Sequence, residues 1–158
     1  MKSLAIEYKV LSYKELEESD AKLMDAAVEA MAMAYAPYSK FTVGSAVLLG
    51  NDEVVLGNNQ ENAAYPSGLC AERVALFSAK SRINESIKTI AIVASNAKGE
   101  SADAFACGNC RQVMMEYANQ EVQKEPIRVI MRNHQNEFLL LEDVRNLLPF
   151  TFSSTSLG

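Results

Sequence analysis

Three cysteines constrain this chain more than any other residue type. Cys70 opens a stretch of good helix formers, Ala71, Glu72, Arg73, Ala75 and Leu76, that runs to about Ser81. Cys107 and Cys110 form a C-x-x-C at the head of a second such stretch, Gly108 to Ala118. A helix N-terminus stabilises a thiolate through its free N–H groups and the aligned peptide dipoles. Both cysteine groups thus share one setting, and if the two helices lie side by side on a sheet, the three sulfurs meet. Taken alone, the C-x-x-C fits a redox dithiol, half of a zinc site or a coincidence. The redox reading leaves Cys70 and Glu72 without a role. An odd cysteine count does not read as a disulfide framework. His134 is the lone histidine, so any metal here is held mainly by sulfur. Three sulfurs leave the fourth position of a tetrahedral zinc open to water, the layout of a catalytic site. Glu72, in the first helical turn, would flank such a metal without binding it, where a carboxylate can shuttle protons.

The remaining pattern supplies a sheet. Leu4, Ile6, Tyr8 and Val10 alternate, which predicts a short strand within 4–11. Met24, Val28, Met31 and Tyr35 recur at helical steps, predicting a helix from Ser19 or Asp20 to Ala36 that Pro37 ends. Thr42 to Leu49 and Val54 to Asn58 flank Gly50-Asn51-Asp52 as a hairpin. Thr89 to Ser95 is almost wholly apolar, as a strand buried on both faces is. Ile127 to Arg132 and Phe138 to Leu141 read as two further strands, and Glu142 to Leu148 as a short helix stopped by Pro149. The order predicts an α/β fold, a three-layer α/β/α sandwich around a five-stranded mixed sheet. A length of 158 residues suits one domain.

Charge narrows the partners. The net charge is −5 and no two basic residues are adjacent, which argues against nucleic acid and anionic membranes. No charge-free stretch supplies the roughly 20 apolar residues of a spanning helix. Glu7 and Lys9 interrupt the N-terminus before any signal-like apolar run, so a soluble, cytoplasmic protein is expected.

C-A-E-R at 70–73 and C-G-N-C-R-Q at 107–112 resemble the small homo-oligomeric zinc-dependent cytidine deaminases. A-P-Y-S-K-F-T-V-G at 36–44, N-Q-E-N-A-A-Y-P at 59–66 and L-L-P-F-T-F at 147–152 extend the likeness, in the family's order. The resemblance implies a cytidine deaminase-like catalytic domain at 19–153. Residues 1–18 form an N-terminal extension that offers an extra edge strand, and 154–158 a polar tail. It implies one zinc per chain on Cys70, Cys107 and Cys110, with Glu72 as general acid/base for hydrolytic deamination of cytidine and 2′-deoxycytidine in pyrimidine salvage. Zinc at +2 with three thiolates carries −1, which weakens it as a Lewis acid. Arg73 matches the family arginine that hydrogen-bonds the thiolates, and Arg111 is expected to add to it. The matched nucleoside contacts are Phe41, Asn59, Glu61, Ala71 and Phe152. Asn59 and Glu61 suit a ribose hydroxyl, while Glu61 would repel a phosphate. Ala106 stands where the family has proline, which predicts a looser wall around the departing amine.

The C-terminal run holds Leu147, Leu148, Phe150 and Phe152, a costly set to leave in water at about 25 cal/mol per Å². The resemblance implies that Phe152 enters a neighbouring chain's site, giving a homotetramer with shared sites. Two other readings compete: deamination of an antibiotic-type aminonucleoside, and a zinc-stabilised binding module without catalysis. Glu72 speaks against the second, since a structural zinc has no use for it.

Overall fold

The computed structural model of the chain describes residues 1–157. In chain order the elements are β1 (Lys9–Leu11), α1 (Glu18–Met31), β2 (Thr42–Leu49), β3 (Val54–Asn58), α2 (Ala71–Lys80), β4 (Ile87–Ser95), β5 (Ser101–Ala102), α3 (Gly108–Ala118), β6 (Arg128–Arg132) and β7 (Phe138–Leu141). The sheet runs β1-β7-β6-β4-β2-β3, with β5 paired to β4. Only β4 and β6 pair in parallel. The five expected strands are present, and β1 and β5 bring the sheet to seven. β1 is the edge strand anticipated within the N-terminal extension, shortened to three residues on β7. Gly158, at the end of the expected polar tail, lies outside the described residues.

Strand alternation divides the core into two layers. Val47 and Leu49 of β2 and Ile90, Ile92 and Ala94 of β4 face α2 and α3, meeting Ala75, Leu76, Ala79, Cys110 and Met114. Ala46, Ala91 and Val93 face the other way and pack on Leu23, Met24 and Ala27 of α1. Three layers result, one helix on one face and two on the other. Among the described residues no helix is long and apolar enough to cross a membrane.

Several boundaries differ from the sequence pattern for local reasons. α1 stops at Met31, before Pro37, because Tyr35 leaves the helix to bridge the segment after β3. The Tyr35 N–H donates to the Asn59 carbonyl, 2.9 Å, and the Glu61 N–H donates to the Tyr35 carbonyl, 2.9 Å. Asp20 is not the helix cap; Glu17 holds that position. The buried Asp20 carboxylate accepts instead from both Nη atoms of Arg128, at 3.0 and 2.7 Å. In the hairpin turn the left-handed residue is Asp52, with φ 67°, and not Gly50. The expected 142–148 helix is a single 3₁₀ turn, Val144–Leu147.

Topology positions the site. β3 and β4 each run antiparallel to β2, so they run parallel to each other. β3 leads by a loop into α2, and β4 by way of the short β5 into α3, both helices on the same face of the sheet, so α2 and α3 start at one edge. Gly57 lets α2 press onto β3. A Cβ there would lie 2.4 Å from the Ala75 nitrogen and 2.5 Å from the Ala71 oxygen, both backbone atoms that cannot swing aside. Gly57→Ala therefore costs about 1–3 kcal/mol through overpacking. Gly108→Ala, which opens onto free space, stays near neutral. Denaturant melts of the two variants distinguish them, and an unperturbed Gly57→Ala midpoint contradicts the close seat of α2.

Candidate metal centre and cavity

Cys70 caps α2 and Cys107 caps α3, each with extended φ/ψ and each just ahead of the free N–H groups of the first turn. Cys110 sits one turn further along α3 and is fully buried. The three Sγ atoms lie within 4.8 Å of one another. Cys70 and Cys107 are 3.8 Å apart, and Cys107 and Cys110 3.5 Å apart. These separations are too long for a disulfide. They suit tetrahedral zinc, whose bonds of about 2.3 Å set neighbouring sulfurs about 3.8 Å apart. Among the described residues this is the one group of potential ligands that converges in this way.

The protein already favours charge on one of these sulfurs. A hydrogen bond from Cys110, with Arg73 and Cys107 close by, brings the Cys70 thiol down to about 5. Cys110 is pushed the other way, because it serves as donor to Cys70, is buried and faces Glu72. A divalent cation among the sulfurs takes over the stabilising role of that proton. Arg73 Nη2 lies 3.9 Å from Cys70 Sγ and 3.4 Å from the Gly68 carbonyl. Its Nε is buried without a hydrogen-bond partner, so the guanidinium's remaining role is electrostatic support of the thiolates. The donor set thus fits a zinc ion held by three sulfurs.

Glu72 is the second residue of α2 and 4% exposed. Burial raises its carboxyl above the usual range, and the negative charge of Cys70 raises it further. A carboxyl so shifted accepts a proton more readily than a free glutamate, which suits proton transfer. It lines a cavity of about 660 Å³ together with Cys70, Cys107 and Arg73.

Polar side chains also line that cavity. Asn59 spreads its side-chain amide across the start of β2, donating from Nδ2 to the Phe41 carbonyl, 2.9 Å, and accepting at Oδ1 from the Val43 N–H, 2.8 Å. Glu61 accepts from the N–H groups of Tyr38 and Ser39, at 3.0 and 3.3 Å, and from the Ser39 hydroxyl. The Ser39 hydroxyl, the two N–H groups and nearby Lys40 hold its carboxyl below the usual range, so it stays ionised. Phe41, Asn59 and Glu61 all line the cavity.

Ala71 buries its methyl group at the start of α2, where its backbone N–H is among the free donors of the first turn. Arg111 Nε donates to the Ala106 carbonyl, 2.7 Å, and Nη1 to the Leu147 carbonyl, 3.1 Å. Among the described residues Arg111 makes no hydrogen bond to sulfur, so it braces the loop around the thiolates without touching them. The Nε bond ties down the carbonyl of Ala106, the residue that stands where the family has proline. Phe152 is 60% exposed and outside its own chain's cavity, with its carbonyl accepting from Gln112 Nε2 at 2.9 Å. His134 is a turn residue whose Nδ1 lies 2.9 Å from Asp103 Oδ1. Sequence reasoning missed Ser39, Tyr65, Asp103 and Phe105, which line the cavity. Ser39 and Tyr65 stand inside the 36–44 and 59–66 motifs and could have been read there. Asp103 and Phe105 carry no such signal.

Comparison with known proteins agrees with this chemistry. The family described as "Cytidine and deoxycytidylate deaminase zinc-binding region" matches residues 17–124. A protein named cytidine deaminase from Halalkalibacterium halodurans is 36% identical over 136 residues, 86% of this chain and 96% of that one. Another of that name, from Sporosarcina psychrophila, is 38% identical over 139 residues, 87% of this chain and 93% of its own length. The crystal structure of cytidine deaminase from Burkholderia pseudomallei has a TM-score of 0.70 at 37% identity, covering 83% of this chain and 97% of that one.

Replacing Cys110 or Cys70 by Ala should remove the zinc and lower the unfolding midpoint, because metal binding and folding are coupled. Elemental analysis of the purified variants checks this. A full complement of zinc in either variant rules out the three-sulfur site.

Proposed function

Because the chain belongs to the cytidine and deoxycytidylate deaminase zinc-binding family, we propose that it hydrolyses cytidine and 2′-deoxycytidine to uridine and 2′-deoxyuridine, releasing ammonia. The carrying observation is the buried carboxyl of Glu72 beside the three converging sulfurs, in one cavity. Zinc on Cys70, Cys107 and Cys110 would supply Lewis-acid activation of the attacking water. Glu72 takes one proton from the water and gives it to N3 of the base as the oxygen bonds to C4, then carries the remaining proton from that oxygen to the amine as the C4–N bond breaks. The net result leaves one water proton on the base and one on ammonia. Its raised affinity for protons suits both halves of this relay. Arg73 offsets the excess negative charge of the thiolates from its place beside Cys70.

The polar side chains of the cavity support a nucleoside as the small-molecule partner. Asn59 keeps one N–H and one lone pair beyond its two backbone bonds, and the Glu61 carboxylate keeps about one lone-pair site, on Oε1, beyond its three donors. Together they hold the ribose 3′-hydroxyl, which leaves the 2′ position open to either sugar. Phe41 contacts the base. The carboxylates of Glu61 and Asp103 face the same cavity, and Arg73 is turned toward sulfur, so a 5′-phosphate meets repulsion. A purely structural zinc gives no reason for burying Glu72 in an open cavity. A thiolate site also favours a reducing compartment, which supports a cytoplasmic location.

The exposure of Phe152 supports a site shared between chains, with this side chain packing on the base in a neighbouring subunit of a homotetramer.

Two measurements test these readings. Loss of cytidine ultraviolet absorbance should proceed with the native protein and slow about 10²–10⁴-fold in Glu72→Gln, the scale of a general acid/base, with zinc retained. Near-native turnover by that variant removes Glu72 from the reaction. Phe152→Ala should raise the nucleoside KM at unchanged zinc content, and truncation after Leu148 should shift the light-scattering mass downward. A fully active monomer excludes the shared site.

A further inference from the structure

Two stretches of chain line the cavity. One precedes α2 and supplies Tyr38, Phe41 and Tyr65. The other is the wall formed by the run leading to Cys107, with Asp103, Ala104 and Phe105. Three hydrogen-bonded anchors immobilise this run. Asp103 Oδ1 accepts from the His134 backbone N–H, 2.9 Å, and contacts its Nδ1. The Ala104 N–H donates to the Arg132 carbonyl, 2.9 Å. The Ala106 carbonyl accepts from Arg111 Nε. Ala104 and Ala106 are buried at 5% and 2%, whereas Phe105 between them is 47% exposed. Phe105 is thus the large side chain that this wall presents to the cavity. It is carried on a loop tied on both sides of it, as a fixed surface and not a mobile cover.

A pyrimidine has unlike edges. O2 and N3 require hydrogen-bonding partners, while C5 and C6 carry only C–H bonds. Glu72 and the free N–H groups at the start of α2 serve the polar edge. A phenyl ring offers neither donor nor acceptor. We propose that Phe105 is a specificity-determining residue that packs against the C5–C6 edge of the base and selects which 5-substituents react. The assignment rests on the functional reading above. A 5-methyl group extends the apolar contact. A 5-hydroxymethyl group gives up hydration where it meets the phenyl ring, which returns no hydrogen bond.

Steady-state kinetics on the zinc-loaded protein test this, with 2′-deoxycytidine, 5-methyl-2′-deoxycytidine and 5-hydroxymethyl-2′-deoxycytidine as substrates. The native protein should favour methyl over hydroxymethyl by about 10- to 100-fold in kcat/KM, the range an apolar pocket achieves against an added hydroxyl. Phe105→Ala admits water beside the substituent and should reduce that ratio about tenfold, mainly through KM. Phe105→Leu, apolar but smaller, should fall between. A Phe105→Ala protein that keeps its zinc, deaminates 2′-deoxycytidine and shows an unchanged ratio overturns the assignment alone. A native protein that deaminates none of the three overturns the functional reading, and the assignment with it.

Discussion

The meeting of two helix N-termini at one sheet edge governs the site. It follows from strand direction: β3 and β4 flank β2 in the same sense, and each feeds a helix on the same face. The close seat of α2 on β3 then sets how far apart the two caps stand. Gly57 removes the Cβ that would hold them off, and Ala71, Ala75 and Ala79 present only methyl groups to the sheet, all fully buried. Small residues along this seam are therefore part of the metal chemistry. They carry no ligand atom, yet the distance from Cys70 to Cys107 depends on them.

Polar groups do the complementary work of fixing loops and register. Asn59 continues the β2–β3 ladder with its backbone N–H to the Val43 carbonyl, then extends it with its side chain to Phe41 and Val43. The loop that bears Glu61 is thereby bound to the strand that bears Phe41. On the opposite face, Asp20 of α1 pairs with Arg128 of β6, which also meets Glu142 beyond β7; Glu142 in turn holds Lys9 of β1. Such a chain adds modest net stability. Its larger effect is to penalise packings of α1 or β1 that would strand a buried charge.

The metal ligands and most of the architecture were legible because they rest on local signals. β3, α3 and β7 begin and end where the periodicity changes, and the three cysteines stand at helix starts that composition alone marks. What escaped was set by distant partners. Residues 32–36 continue a helical pattern, yet Tyr35 is drawn away by a bridge to Gln60. Arg111 sits beside a cysteine in sequence but reaches the carbonyls of Ala106 and Leu147, the second being 36 residues off. The 103–106 loop owes its order to β6 and the turn after it, through Arg132 and His134. Nothing within that loop announces those bonds.

The two stretches of chain that line the cavity are also the two holders of the metal ligands. One ends in Cys70 and the other in Cys107. A substitution that shifts either stretch therefore moves a sulfur and a lining side chain together.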